Sequence, residues 1–293
     1  MRILLLGKNG QLGWELHRTL QPLGKVFAVD YPEIDLTSAD SINKTLQVFQ
    51  PELIINAAAY TAVDRAESEP EITMAVNGIA PGLLAEQAQA LFAGLIHYST
   101  DYVFDGKKGS PYVETDRPNP INVYGTSKLE GERCVSQVNG SYLILRTSWV
   151  YSLRRESFVT KVLRWSRKKQ TLRIVSDQIG SPTWARMLAE ITAQMLVKAS
   201  GDVFHWIKDQ KGVYHLAGGG AASRLEWTQA ILHYAPHSEE QITQEVQSAL
   251  TSEFPAPAQR PLLTAMNCER FQNTFGLIVP DWKETLRLAL ETE

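Results

Sequence analysis

The chain has 293 residues, 44% hydrophobic and 21% charged, with a formal net charge of −3, a length that buries one large core and a smaller one and predicts two domains or one domain with a lobe. Scattered charges with no sustained basic face argue against a nucleic acid or an anionic membrane as partner, and no apolar run reaches the length of a membrane span. Cys134 and Cys268 lie far from any cysteine or histidine at ligand spacing, and the opening apolar run is too short for a signal peptide, so free thiols and a cytoplasmic location are expected.

From residue 1 to about 150, short apolar runs alternate with longer stretches of helical period, the rhythm of βαβ units around a parallel sheet. Strands are predicted at 3–6, 26–29, 53–56, 95–99 and 143–146, and helices at 12–20, 38–49, 72–90 and 123–134. After Tyr151 prolines and glycines cluster, as in Gly180-Ser181-Pro182 and Gly218-Gly219-Gly220, which predicts a smaller α/β lobe over 151–293, with some of that chain returning to the first sheet.

The first strand runs into Gly7-Lys8-Asn9-Gly10-Gln11-Leu12-Gly13, where glycine recurs at every third position of a strand-to-helix turn. Without β-carbons the backbone can turn tightly and let phosphate oxygens approach its amides, while the next helix presents its positive end. Such a turn alone can be just a turn; its place between an apolar strand and an amphipathic helix points to a dinucleotide. Asp30 ends the second strand at the distance where a carboxylate reaches the adenosine ribose hydroxyls, which favours NADH, although the Lys8 ammonium can offset a 2′-phosphate and make NADPH acceptable. Asp35-Leu36 is placed to touch adenine, and Ala57-Ala58-Ala59-Tyr60-Thr61 the nicotinamide ribose; for the alanines, helix-sheet packing is the simpler explanation.

Further on, His97-Tyr98-Ser99-Thr100-Asp101-Tyr102 closes a strand and Tyr124-Gly125-Thr126-Ser127-Lys128 opens a helix. Tyr124 and Lys128, four apart, share a helix face. Hydride arriving at a ketone makes an alkoxide that needs a proton, and a phenol with a pKa of about 10 serves when a nearby cation stabilises its phenolate. Thr100 offers a hydroxyl to polarise the same carbonyl.

With the glycine loop, Ser99-Thr100 and the tyrosine-lysine pair together, the sequence resembles the extended short-chain dehydrogenase/reductase family, and within it the members that reduce the 4-keto group of a nucleotide-linked deoxysugar. The likeness covers nearly the whole chain, through residues 7–13, 56–67, 99–104, 122–128 and 146–151. It implies a Rossmann-type, doubly wound parallel sheet over 1–150 with a C-terminal substrate lobe. Tyr124 would be the acid, Lys128 its electrostatic partner, and Thr100, Asp101 and Trp149 substrate contacts. Gly10, Gln11, Leu12, Asp30, Asp35, Leu36, Ala59, Tyr60, Thr61 and Tyr98 would touch NADPH or NADH. Some relatives bind magnesium at a homodimer contact through glutamates; Glu15 is the residue that would take part here, but it reads as an ordinary solvated helix residue and no metal ligand is assigned.

In the second half, Asp177-Gln178-Ile179-Gly180-Ser181-Pro182-Thr183 and Arg260-Pro261 look like the family's substrate-lobe landmarks, with Arg260 a pyrophosphate ligand or a surface arginine ahead of a turn. The bulky, charged run Ser152-Leu153-Arg154-Arg155-Glu156 and the apolar stretch after Arg260-Pro261 depart from the family pattern. Two other readings stand beside the reductase: a non-catalytic NADP-binding subunit of the kind that accompanies methionine adenosyltransferase, and an epimerase or reductase of another nucleotide sugar. Arg164, Arg167, Lys168 and Lys169 read as a solvated helix face, and Pro236 separates His233 from His237.

Overall fold

The computed structural model describes residues 1–199 and 201–291. Five strands from the first half, β1 (Arg2–Leu6), β2 (Lys25–Val29), β3 (Leu53–Asn56), β4 (Gly94–Thr100) and β5 (Tyr142–Thr147), join the strand Gly212–His215 in one parallel sheet. Its order is Gly212–His215, β5, β4, β3, β1, β2. The chain reverses its direction of winding between β1 and β3, the switch point where doubly wound sheets open a crevice at the carboxyl ends of their strands.

Both faces of the sheet are covered, which is why its strands read as nearly unbroken apolar runs. Ile3, Leu5, Leu53, Ile55, Ile96, Tyr98, Leu143 and Leu145 form one core with Leu12 and Leu16 of α1 (Gln11–Thr19) and Leu188 and Ile191 of the helix Ala185–Val197. Leu4, Leu6, Val29, Ile54, Leu95 and Ile144 face the other way, against Ile42 and Leu46 of α2 (Ala39–Phe49) and Leu84 of the helix Ala80–Ala90. Each fully buried leucine or isoleucine contributes about 1.5–3 kcal/mol, so the alternation locks the register. Leu6 lies beside Asn56, and Asn56 beside His97, bringing the strand ends to one level.

A single helix is predicted over 72–90, and the structure divides it. An α-helix at Pro70–Met74 widens into a π turn at Ala75–Ile79 before Ala80–Ala90 resumes. Pro81 has no amide to offer the carbonyl of Asn77. The widened turn aims the Asn77 side chain at the segment after β3: its oxygen accepts from the Tyr60 amide at 2.8 Å and its nitrogen donates to the Tyr60 carbonyl at 3.0 Å.

The second half contributes the sheet's edge strand and the helix Ala185–Val197, packed on α1. It also holds a parallel pair, Thr171–Val175 with Glu245–Ala249, and the helices Phe158–Ser166 and Arg224–Tyr234. No described helix is long and apolar enough to cross a membrane. Cys134 and Cys268 are unpaired.

Candidate active site

β1 passes directly into Gly7, whose φ of +86° lies in the left-handed region that glycine enters freely. The Gly10 amide donates to the Gly7 carbonyl at 2.9 Å, and Gly13 crosses the same oxygen so closely that a β-carbon there would stand 1.9 Å from it. Gly10 caps α1 without a side chain to satisfy the first-turn amides. A bare, positively polarised helix start behind a turn that Gly7 and Gly13 keep too tight for a β-carbon suits a pyrophosphate.

Asp30 closes the outer rim of this loop, accepting from the Asn9 amide at 3.0 Å and the Tyr31 amide at 2.9 Å. Lys8, the candidate partner of a 2′-phosphate, is held by Glu33 at 2.6 Å, and this hydrogen bond lowers the Glu33 pKa. Gln11 ties the loop to the segment after β5, accepting from the Ser152 amide at 2.7 Å. The Asp35 carboxylate accepts from Thr37, Leu36 packs on the second core, and Leu12 is buried in the first. After β3, Ala59 and Tyr60 are half-buried and Thr61 is exposed. The Tyr98 hydroxyl points away from the strand end, to Thr192 at 2.6 Å; only its carbonyl faces the site residues.

Two contacts set the start of the helix Val123–Gln137: the Asn122 side chain accepts from the Gly125 amide at 2.7 Å, and Glu67 from the Val123 amide at 2.9 Å. Tyr124 and Lys128 therefore face the end of β4. Lys128 is only 2% exposed. Its ammonium donates to the Tyr98 carbonyl at 2.7 Å and lies 3.4 Å from His97 Nε2, while the Asn56 amide nitrogen stands 3.2 Å from His97 Nδ1. Burial lowers the Lys128 pKa to about 8 against the pull of Glu132, and burial with the nearby Lys128 charge keeps His97 neutral.

Tyr124 is buried too, and burial raises its pKa although the Thr100 hydroxyl, hydrogen-bonded to it, acts the other way. The sequence places the ammonium where it would acidify this phenol. In the structure the ammonium is directed to the strand end, and the phenol stays protonated at neutral pH, the state a proton donor needs. Thr100 donates to Asp101 at 3.1 Å. Asp101 also accepts from Ser148 at 2.8 Å and Thr264 at 2.6 Å, and burial raises its pKa in spite of these donors. The Tyr124 phenol and the Thr100 hydroxyl thus converge where a carbonyl oxygen can be polarised and protonated.

Several residues that support this arrangement carry no sequence signal. Glu132 receives both Arg146 Nε at 2.9 Å and Nη2 at 2.6 Å, and Ser99 donates to it at 2.5 Å, which fastens the Tyr124 helix to β4 and β5 inside the protein. Arg260, expected at a pyrophosphate, pairs with Asp64 at 2.9 Å. Trp149 adopts φ +45°, rare for a bulky residue, and its ring lies under the Arg224 guanidinium at 3.5 Å. Arg224 was not singled out by any motif. Glu15 is buried and binds Arg18 at 3.1 Å and Arg186 at 3.5 Å, and no cluster of metal-holding side chains occurs among the described residues. Arg164 and Arg167 pair at the surface with Glu156 and Glu240.

The model of the family described as RmlD substrate binding domain matches residues 1–293. A dTDP-4-dehydrorhamnose reductase of Burkholderia thailandensis is 39% identical over 297 residues, covering 99% of this chain and 98% of the relative. One from Escherichia coli K12 is 38% identical over 295 residues, covering 99% and 97%. Among solved structures, the dTDP-4-dehydrorhamnose reductase of Bacillus anthracis in complex with NADP superposes with a TM-score of 0.89 at 32% identity, covering 100% of this chain and 99% of that one.

Proposed function

Because this chain belongs over its whole length to the RmlD substrate binding domain family, we propose that it reduces dTDP-4-dehydro-β-L-rhamnose to dTDP-β-L-rhamnose with a reduced nicotinamide cofactor, a step toward surface polysaccharide. The observation that carries this reading is the convergence of a protonated Tyr124 phenol and the Thr100 hydroxyl at the end of β4, in the parallel sheet whose β1 runs into the glycine loop.

A reduced dinucleotide held there would supply the hydride. The tight turn that Gly7 and Gly13 permit would bring a pyrophosphate to the start of α1, and Asp30 would meet the adenosine ribose. The Thr100 hydroxyl, which donates to Asp101 in this structure, would turn its one proton to the substrate carbonyl and favour charge on that oxygen. Tyr124 then gives that oxygen its phenolic proton, completing the conversion of C=O to CH–OH. The Lys128 ammonium, held in this structure by the Tyr98 carbonyl, would have to swing toward the phenolate left behind to lower its cost. Trp149, whose ring faces are taken by Arg224 and Trp227, would border the sugar by its edge. Both cofactors are accepted, with NADH favoured by the carboxylates of Asp30 and Glu33, which repel a 2′-phosphate and neutralise Lys8. The reaction belongs in the cytoplasm, where unpaired Cys134 and Cys268 stay reduced.

The test is loss of reduced-nicotinamide absorbance when the purified protein meets dTDP-4-dehydro-β-L-rhamnose, with the product's stereochemistry read by NMR. Stoichiometric cofactor oxidation with formation of the rhamnose product supports the reading. No oxidation, or an epimerised ketone without net oxidation, refutes it.

A further inference from the structure

Arg224 opens the helix Arg224–Tyr234, whose start is fixed by a capping box between Ser223 and Glu226. Its guanidinium lies 3.5 Å from the centre of the Trp149 ring, 4.8 Å from that of Phe158 and 5.4 Å from that of Trp227. The rings themselves are stacked, Trp149 on Trp227 at 5.5 Å and Phe158 on Trp227 at 4.8 Å. Aromatic faces stabilise a cation but accept none of the five N–H bonds a guanidinium can donate in its plane. Among the described residues Arg224 has no side-chain hydrogen bond and no carboxylate at ion-pair distance. The side chain is half-buried among these rings, and the partial loss of water lowers its pKa to about 10.

The charges around it explain why no internal anion serves. Asp101 and Tyr102 bear on Arg224 favourably and Arg260 unfavourably. Asp101 is already the acceptor of Thr100, Ser148 and Thr264, and Asp64 is the acceptor of Arg260. Two guanidiniums thus border the region that holds the reactive Thr100 hydroxyl, and one of them has its donors unfilled. Partly exposed, the Arg224 guanidinium keeps its donors open to an incoming anion, and its fork matches the oxygens of a phosphate.

We propose that Arg224 is a substrate-binding residue whose guanidinium, presented by Trp149, grips the diphosphate of the nucleotide sugar together with Arg260. The inference rests on the keto-sugar reading and adds a determinant of substrate choice: the diphosphate, anchored at a fixed remove from Thr100 and Tyr124, brings the sugar carbonyl to them.

The decisive experiment titrates the protein, saturated with NADPH, with dTDP and separately with thymidine, reading the heat of binding. R224M should weaken dTDP binding by about tenfold or more, the worth of one charge-assisted contact, with thymidine and NADPH affinities unchanged. R224K, which keeps the charge but not the fork, should weaken dTDP severalfold and serves if R224M fails to bind NADPH. Equal affinity of R224M or R224K and the wild type for dTDP, or parallel loss of dTDP and thymidine, overturns the assignment. Absence of turnover of the keto sugar with the dTDP effect intact would defeat the proposed reaction and leave Arg224 as a diphosphate ligand.

Discussion

Replacing Lys128 with methionine should make the protein more stable at neutral pH while removing its activity. The ammonium is enclosed, with one carbonyl and one neutral imidazole for company. At about 1.4 kcal/mol per decade, the drop of its pKa from 10.5 to about 8 puts the cost of keeping it charged inside the fold at about 3 kcal/mol. Methionine follows a similar path through the core, and leaving the Tyr98 carbonyl without this donor returns about 1 kcal/mol. The net expectation is a gain of about 2 kcal/mol, a rise of roughly 4 °C in Tm for a chain of this size. Because the folded pKa lies below the unfolded one, the unfolded chain holds more protons between pH 8 and 10.5, so wild-type stability rises with pH across that window. Urea denaturation of both proteins at pH 7 and at pH 10 measures this directly. The gap should be present at pH 7 and shrink toward zero or reverse at pH 10. A variant less stable than wild type at pH 7, or a gap indifferent to pH, would refute the reasoning.

Tyr124→Phe removes only the proposed proton donor, so turnover should fall by about 10²–10⁴-fold while NADPH affinity, followed by fluorescence titration, stays within a factor of about two. Gly13→Ala drives a methyl into the Gly7 carbonyl and should weaken NADPH binding at least tenfold, measured the same way; unchanged affinity would mean the loop does not hold the pyrophosphate. Glu132→Gln leaves Arg146 charged and enclosed, since the two side chains are only 5% and 4% exposed, and should destabilise the protein by about 3 kcal/mol in urea denaturation. A loss below about 1 kcal/mol would show that the pair does not carry the attachment of the Tyr124 helix.

The sheet was legible in the sequence because both its faces are buried, which leaves short apolar runs bounded by turns. Helix starts were legible where a polar residue caps them, as Ser38 and Asn122 do. The π turn at Ala75–Ile79 was not read, although Pro81 withholds an amide from the Asn77 carbonyl, because helical periodicity does not encode the Asn77–Tyr60 contact that goes with it. His97 lay within a recognised run, yet its place between Asn56 and Lys128 follows from strand register, which sets Asn56 beside it. Arg260 was found by its neighbouring proline, while its partner Asp64 stands 196 residues away. Arg224 had no spacing or motif to mark it; it matters only because the fold gathers Trp149, Phe158 and Trp227 around it.

The strand Gly212–His215 seats itself along β5, although it is the last of the sheet's strands to be translated. A nascent chain therefore carries its glycine loop and Tyr124 outside the ribosome for several seconds with the β5 edge still open. The helix Ala185–Val197, which roofs α1, arrives only a little earlier. Cutting the gene after residue 150 would not yield a free-standing dinucleotide-binding module but a sticky, half-roofed intermediate, and co-expression of the missing half in trans should rescue its solubility.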